Sequence, residues 1–121
     1  MSVEEKITDV YNHVQQGKAM DAFENYYADD VVMILEDGTE VEGKDANRDR
    51  ENEFFGSVES FNGMEVVTIT ANEDDKTTAV ESWMDVTFKG GNRVKLEQVA
   101  TQQWEDGKIV KERFYGTQQK L

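Results

Sequence analysis

Hydrophobic residues near the start recur at helical spacing. Val3, Ile7, Val10, Tyr11 and Val14 fall on one face of a helix over residues 3–16, and Gly17 is a natural stop. A second helix is predicted over residues 18–27, with Met20, Phe23 and Tyr27 on one side, before Ala28-Asp29-Asp30 breaks the pattern. Val31 to Leu35 reads as a short apolar strand. Asp37-Gly38 supplies the positive φ of a tight hairpin, and Thr39 to Glu42 forms the return strand. A third helix follows over residues 44–55, with a thin apolar face of Ala46 and Phe54 and with Arg50 between them. From there the period changes to two. Strands are predicted at about 64–71, 77–89, 93–104 and 108–115, joined by the turn-rich NEDDK, KGGN and EDGK. Helices first and hairpin-linked strands afterwards make an α+β fold with a curved antiparallel sheet wrapped around N-terminal helices.

The 121 residues suit a single domain, 1–121, with one core. Charge changes the picture more than length. With 26 acidic and 13 basic residues the formal charge is -13, a surface that repels phosphate backbones and anionic lipids. Nucleic acid and membranes are therefore not expected partners. The acidic coat is read as solubilising, with adaptation to saline surroundings as the alternative. There is no cysteine, which removes disulfides, thiolate catalysis and cysteine-based zinc sites. No basic-then-apolar leader opens the chain, and the longest apolar run, Val31 to Leu35, is far short of the roughly 20 residues of a membrane span. A cytoplasmic protein is expected.

The order helix, helix, short hairpin, helix, four strands resembles the nuclear-transport-factor-2-like superfamily. Three stretches carry the likeness: YYADDVVMILEDG after the second helix, VEGKDANRDRENEFF around the third, and QWEDGKIVKERFY in the last hairpin, which is similar to SnoaL-like members. The resemblance implies a cone-shaped α+β fold with a pocket between the sheet and the helices. The superfamily holds isomerases, dehydratases, cyclases, epoxide hydrolases and binding modules, so the fold leaves the function open.

Strand alternation nominates the pocket lining. On 93–104, the more apolar face of Val94, Leu96, Gln98, Ala100, Gln102 and Trp104 is placed inside; on 79–88, the inner set is Val80, Ser82, Met84, Val86 and Phe88. On 109–115, burying one carboxyl costs less than burying two cations. Val110, Glu112 and Phe114 therefore go inside, and Ile109, Lys111, Arg113 and Tyr115 outside.

Glu112 is then the candidate acid or base, since a carboxyl in an apolar cleft has a raised pKa; the alternative is a rim position or an ion pair. Gln98 and Gln102 either orient a ligand or bond each other and the backbone. Arg50 either binds a ligand carboxylate, neutralises Glu112, or lies solvated with its stem on apolar surface. Tyr11, on the buried stripe of the first helix, packs the core. It also falls on the oxyanion-binding tyrosine of ketosteroid isomerases in an ungapped match anchored on Ala28-Asp29-Asp30. The lone His13 sits off that stripe and makes a poor metal site. No metal or cofactor is expected.

Other members' catalytic sets do not transfer. Leu35 stands where ketosteroid isomerases have their basic aspartate, and Ala100 is near their second one. Scytalone dehydratase-like sites need two histidines, and SnoaL-like cyclases a histidine on a strand. Limonene epoxide hydrolase-like sites need Asp-Arg-Asp on strands, and here the one strand aspartate, Asp85, is predicted to face outward.

Two functions follow as expectations. One is a domain that binds a small, mostly apolar ligand without catalysis. The other is an acid–base enzyme of isomerase, dehydratase or cyclase type working through Glu112. The pocket is expected to be bounded by Tyr11, Tyr27, Phe54, Met84, Gln98, Gln102, Trp104 and Glu112, with Arg50 near its mouth. Trp83 and Val99 on the outer sheet face predict a homodimer.

Overall fold

The computed structural model describes residues 1–121. Three helices, α1 (Val3–Gln15), α2 (Ala19–Tyr26) and α3 (Lys44–Ser57), pack on a six-stranded sheet of β1 (Tyr27–Ile34), β2 (Glu40–Glu42), β3 (Val58–Asn72), β4 (Thr77–Phe88), β5 (Arg93–Glu105) and β6 (Lys108–Lys120). The spatial order is β2-β1-β6-β5-β4-β3. β3 to β6 form the expected antiparallel meander, and β1 joins its β6 edge in parallel, so the sheet is mixed. No helix is long and apolar enough to cross a membrane.

α1 is fixed at its N-terminus twice. Ser2 and Glu5 form a capping box, each side chain accepting from the other's backbone N–H. Glu73, from the β3–β4 turn, also accepts from the N–H groups of Val3 (3.0 Å) and Glu4 (3.1 Å). A residue 70 positions away thus ties the helix to the far hairpin. The carboxylate satisfies otherwise orphaned donors and sits at the positive end of the helix dipole.

Two boundaries differ from the periodicity. Tyr27 is not the last residue of the second helix but the first of β1, and Asp29-Asp30 lies within that strand with both side chains exposed. The apolar stripe of a helix and the first inward position of a strand place an aromatic residue alike, so spacing alone cannot separate them. β3 begins at Val58 rather than near 64, and α3 runs to Ser57. The inward face of α3 is also not the expected one. Ala46 is exposed and Asn47 is fully buried, donating its Nδ2 to the carbonyls of Val41 and Gly43 at 2.9 Å each. The helix is held to β2 by that amide rather than by apolar contact.

The densest core lies at one end of the sheet, where Ile7, Val10 and Tyr11 of α1 and Phe23 of α2 meet Tyr27, Val31 and Met33 of β1, Val80, Trp104 and Ile109. Simple alternation places Ile109 outside; it is fully buried. Trp104 pairs with Ile109 and Gln103 with Lys111, so Val110 is an extra residue, a β-bulge. The bulge lets Ile109 and Glu112, three apart, face the same way, while Lys111 and Arg113 stay exposed.

Candidate functional site

Between this core and α3 the sheet is left uncovered. Phe54 and Phe55 are only half-buried, and Phe54 reaches across edge-on to Phe88 at 6.1 Å. The space that remains is a cavity of about 670 Å³. Its walls are mainly apolar: Val10 and Tyr11 from α1, Met20 and Phe23 from α2, Phe54 and Phe55 from α3, and Met64, Met84, Leu96 and Phe114 from the sheet. Such volume and lining suit a small organic molecule.

Glu112 lies in the cavity wall and is 2% exposed. It has no cationic partner within salt-bridge distance; its partners are neutral. Tyr27 donates its hydroxyl to Oε1 at 2.6 Å, and Gln102 donates Nε2–H to Oε2 at 2.8 Å. Burial pushes its pKa up to about 7, against the lowering effect of the Tyr27 and Gln102 bonds; Glu51 adds to the rise and Arg50 opposes it. A carboxyl poised there exchanges a proton readily at neutral pH. Tyr11 and Tyr27 are held protonated, their pKa values raised first by burial and then by the charge of Glu112.

Arg50 lines the cavity with its side chain partly exposed. Its Nη2 donates to Glu51 Oε1 at 3.1 Å and to Met33 Sδ at 3.4 Å, and its guanidinium sits 6.0 Å from the ring centre of Phe114. Met33 is the register partner of Glu112 on β1, and Phe114 is the next inward residue on β6, so the guanidinium hangs over the Glu112 rung. Its buried Nε has no hydrogen-bond partner. Glu51 also lines the cavity, its carboxyl raised by burial against the opposing pull of Arg50.

Of the residues expected to bound the pocket, Tyr11, Tyr27, Phe54, Met84, Gln98 and Glu112 line it, together with Arg50. Gln102 and Trp104 do not. Both face inward as alternation required, but they sit behind Glu112, 1% and 3% exposed, bonded to protein rather than open to the cavity. Trp104 donates Nε1–H to Thr78 Oγ1 at 2.9 Å, and Thr78 donates its hydroxyl to Gln102 Oε1 at 2.6 Å. Thr78 is the inward position before Val80 in the β4 alternation, the signal by which the sequence marks it. Glu51 carried no such signal, because a charged residue beside Arg50 on a polar helix looks solvated. The His13 ring meets only Asp9 of its own helix, at 2.7 Å from its carbonyl and 3.5 Å from its carboxylate. No three His, Cys, Asp or Glu side chains are grouped to hold a metal ion.

Solved structures of similar shape cover nearly the whole chain. A protein from Mesorhizobium loti assigned as a SnoaL-like polyketide cyclase superposes with a TM-score of 0.83 at 28% identity, over 95% of this chain and 99% of that one. An isomerase assigned in Bacillus subtilis gives 0.79 at 18% identity (97% and 90% covered), and an LEH-like epoxide hydrolase of M. tuberculosis gives 0.75 at 18% (95% and 82% covered). At that identity the last two speak for the fold alone. No curated protein matches the sequence. The family model of the SnoaL-like domain matches residues 1–116, from the capped first helix through the strand that carries Glu112. With the helices, the curved sheet and the cavity between them all in place, the chain belongs to the SnoaL-like family.

Proposed function

We propose that the cavity binds a small, mainly apolar molecule and that Glu112 moves a proton on it. The observation that carries this reading is the position of Glu112, a buried carboxyl without a cation partner at the wall of a cavity large enough for a substrate. The reaction class is proton transfer at a carbon next to a carbonyl. The Glu112 carboxylate takes the proton, and the Tyr11 phenol, protonated and facing the cavity, donates to the oxygen on which negative charge develops. Return of the proton to a different carbon completes an isomerisation, and its return to the same carbon is exchange.

The experiment is a thermal-shift screen of apolar cyclic ketones, followed by incubation of the binders in D2O. Wild-type protein is expected to introduce deuterium beside the carbonyl, and Glu112→Gln to bind without exchange. Binders that never exchange would leave a ligand-holding domain without turnover. That second reading is favoured by the absence of the family's other catalytic sets.

The outer sheet face supports a homodimer as part of the same proposal. Trp83, Val99 and Tyr115 point away from the helices, with Val99 and Tyr115 paired across β5 and β6. Around them, Glu65, Glu81, Asp85 and Glu97 are matched by Arg93, Lys95, Lys111 and Arg113. In a chain of charge -13, this patch around Trp83, Val99 and Tyr115, away from Glu40 and Glu42 at the β2 edge of the same face, is where a second copy meets the least repulsion.

A further inference from the structure

The hydrogen bonds behind Glu112 run in one direction only. The indole of Trp104 has an N–H and no acceptor, so the 2.9 Å contact must use a lone pair of Thr78 Oγ1. The Thr78 hydroxyl proton is then free to point onward, and at 2.6 Å it meets the Gln102 side chain. The atom that receives it must be the amide oxygen, which leaves the amide NH2 for Glu112 at 2.8 Å. Thr78, Gln102, Trp104 and Glu112 are all less than 5% exposed, so their polar groups are matched chiefly with one another. From the far side, Tyr27 donates to the other carboxyl oxygen.

We propose that Thr78, held by Trp104, is a positioning residue that fixes the orientation of the Gln102 amide, so that Glu112 faces two donors and serves as a proton acceptor. A reversed amide would turn its oxygen to Glu112 and call for a protonated carboxyl there. The side chain of Gln102 has no preference of its own between the two states, since its ends are nearly the same size. The choice is made one residue further back: the indole takes one lone pair of Thr78, and the hydroxyl proton has no other side-chain acceptor than the amide oxygen, so a reversed amide would leave that buried proton unpaired. The chain cannot conduct a proton, because it ends on an N–H that accepts none. It polarises, each donor strengthened by the one behind it.

The inference rests on Glu112 as the proton-transfer group, but its test needs no substrate. The Glu112 carboxyl is titrated by carbon-detected NMR in the ligand-free protein. Thr78→Val removes the hydroxyl at nearly constant shape and releases the amide to accept from a protonated Glu112. Its titration is expected to move up by about one pH unit, the scale of one hydrogen bond to a charged group. Thr78→Ser is expected to titrate as wild type. Gln102→Leu is expected to raise the midpoint by itself, and Thr78→Val added to it to change nothing more, because the effect passes through Gln102. If Thr78→Val does not fold, Thr78→Cys, a weaker donor of similar size, is expected to give a smaller rise. An unmoved midpoint in the valine or cysteine variant, or a valine shift that persists in the Gln102→Leu background, overturns the proposal. No deuterium exchange by the wild-type protein, with these titrations as expected, would instead sink the proposed function and leave the orientation standing.

Discussion

Ile109 and Glu112, three residues apart on β6, face the same side of the sheet because the bulge at Val110 inserts one residue between them. Without it, burying one would expose the other. The bulge therefore lets a single strand close the core with an isoleucine and furnish the cavity with a carboxyl. Bulges recur where a side chain must be re-aimed beside a site.

This arrangement predicts an inverted pattern of tolerance. Ile109→Ala, in the fully buried core cluster, is expected to destabilise by about 2–5 kcal/mol, and Lys111→Ala by less than about 0.5 kcal/mol. Regular alternation puts both residues on one face and makes their costs alike. Denaturant unfolding of the two variants decides between the pictures.

The burial of Glu112 predicts a pH dependence of known sign. Its folded pKa, about 7, stands above the ordinary value of 4.5. A carboxyl raised in this way leaves stability fully present below about pH 4.5, and stability is lost as pH rises through about 7, because the unfolded chain ionises first. Glu112→Gln cannot ionise. Between pH 4.5 and 8, the wild type is therefore expected to lose on the order of 3 kcal/mol relative to the variant. Urea melts of both proteins across this window measure the difference, which cancels the titration of the other carboxyls. A constant gap between the two curves would mean that Glu112 ionises normally.

Trp83 sits at the centre of the proposed dimer face, with the ammonium of Lys95 4.9 Å from its ring centre and its indole N–H 3.4 Å from Glu65. Trp83→Glu adds a charge to the middle of the mixed-charge patch and leaves the cavity on the other side of the sheet untouched. Light scattering at micromolar concentration is expected to give a dimer for the wild type and a monomer for the variant. A monomeric wild type would refute the assignment.

The sequence by itself determined the order of the elements, the inward faces of β4 and β5, and the inward turn of Glu112. Each follows from a local rule. Apolar residues recur with the period of the element that carries them, and burying two cations costs more than burying one carboxyl. What only the tertiary structure decided is what those inward groups meet. Gln102 and Trp104 point inward as read, yet bond Glu112 and Thr78 and stay behind the wall, because register places Gln102 between Glu112 and Thr78, with Trp104 the next inward residue along β5. Tyr27 belongs to β1, where its hydroxyl reaches Glu112 across 85 residues of chain. Glu51 enters the cavity on the arm of Arg50, and Glu73 caps a helix 70 residues before it. Periodicity reports which way a side chain points. Partnership depends on strand register and on helix placement, and those are settled only when the distant parts of the chain pack together.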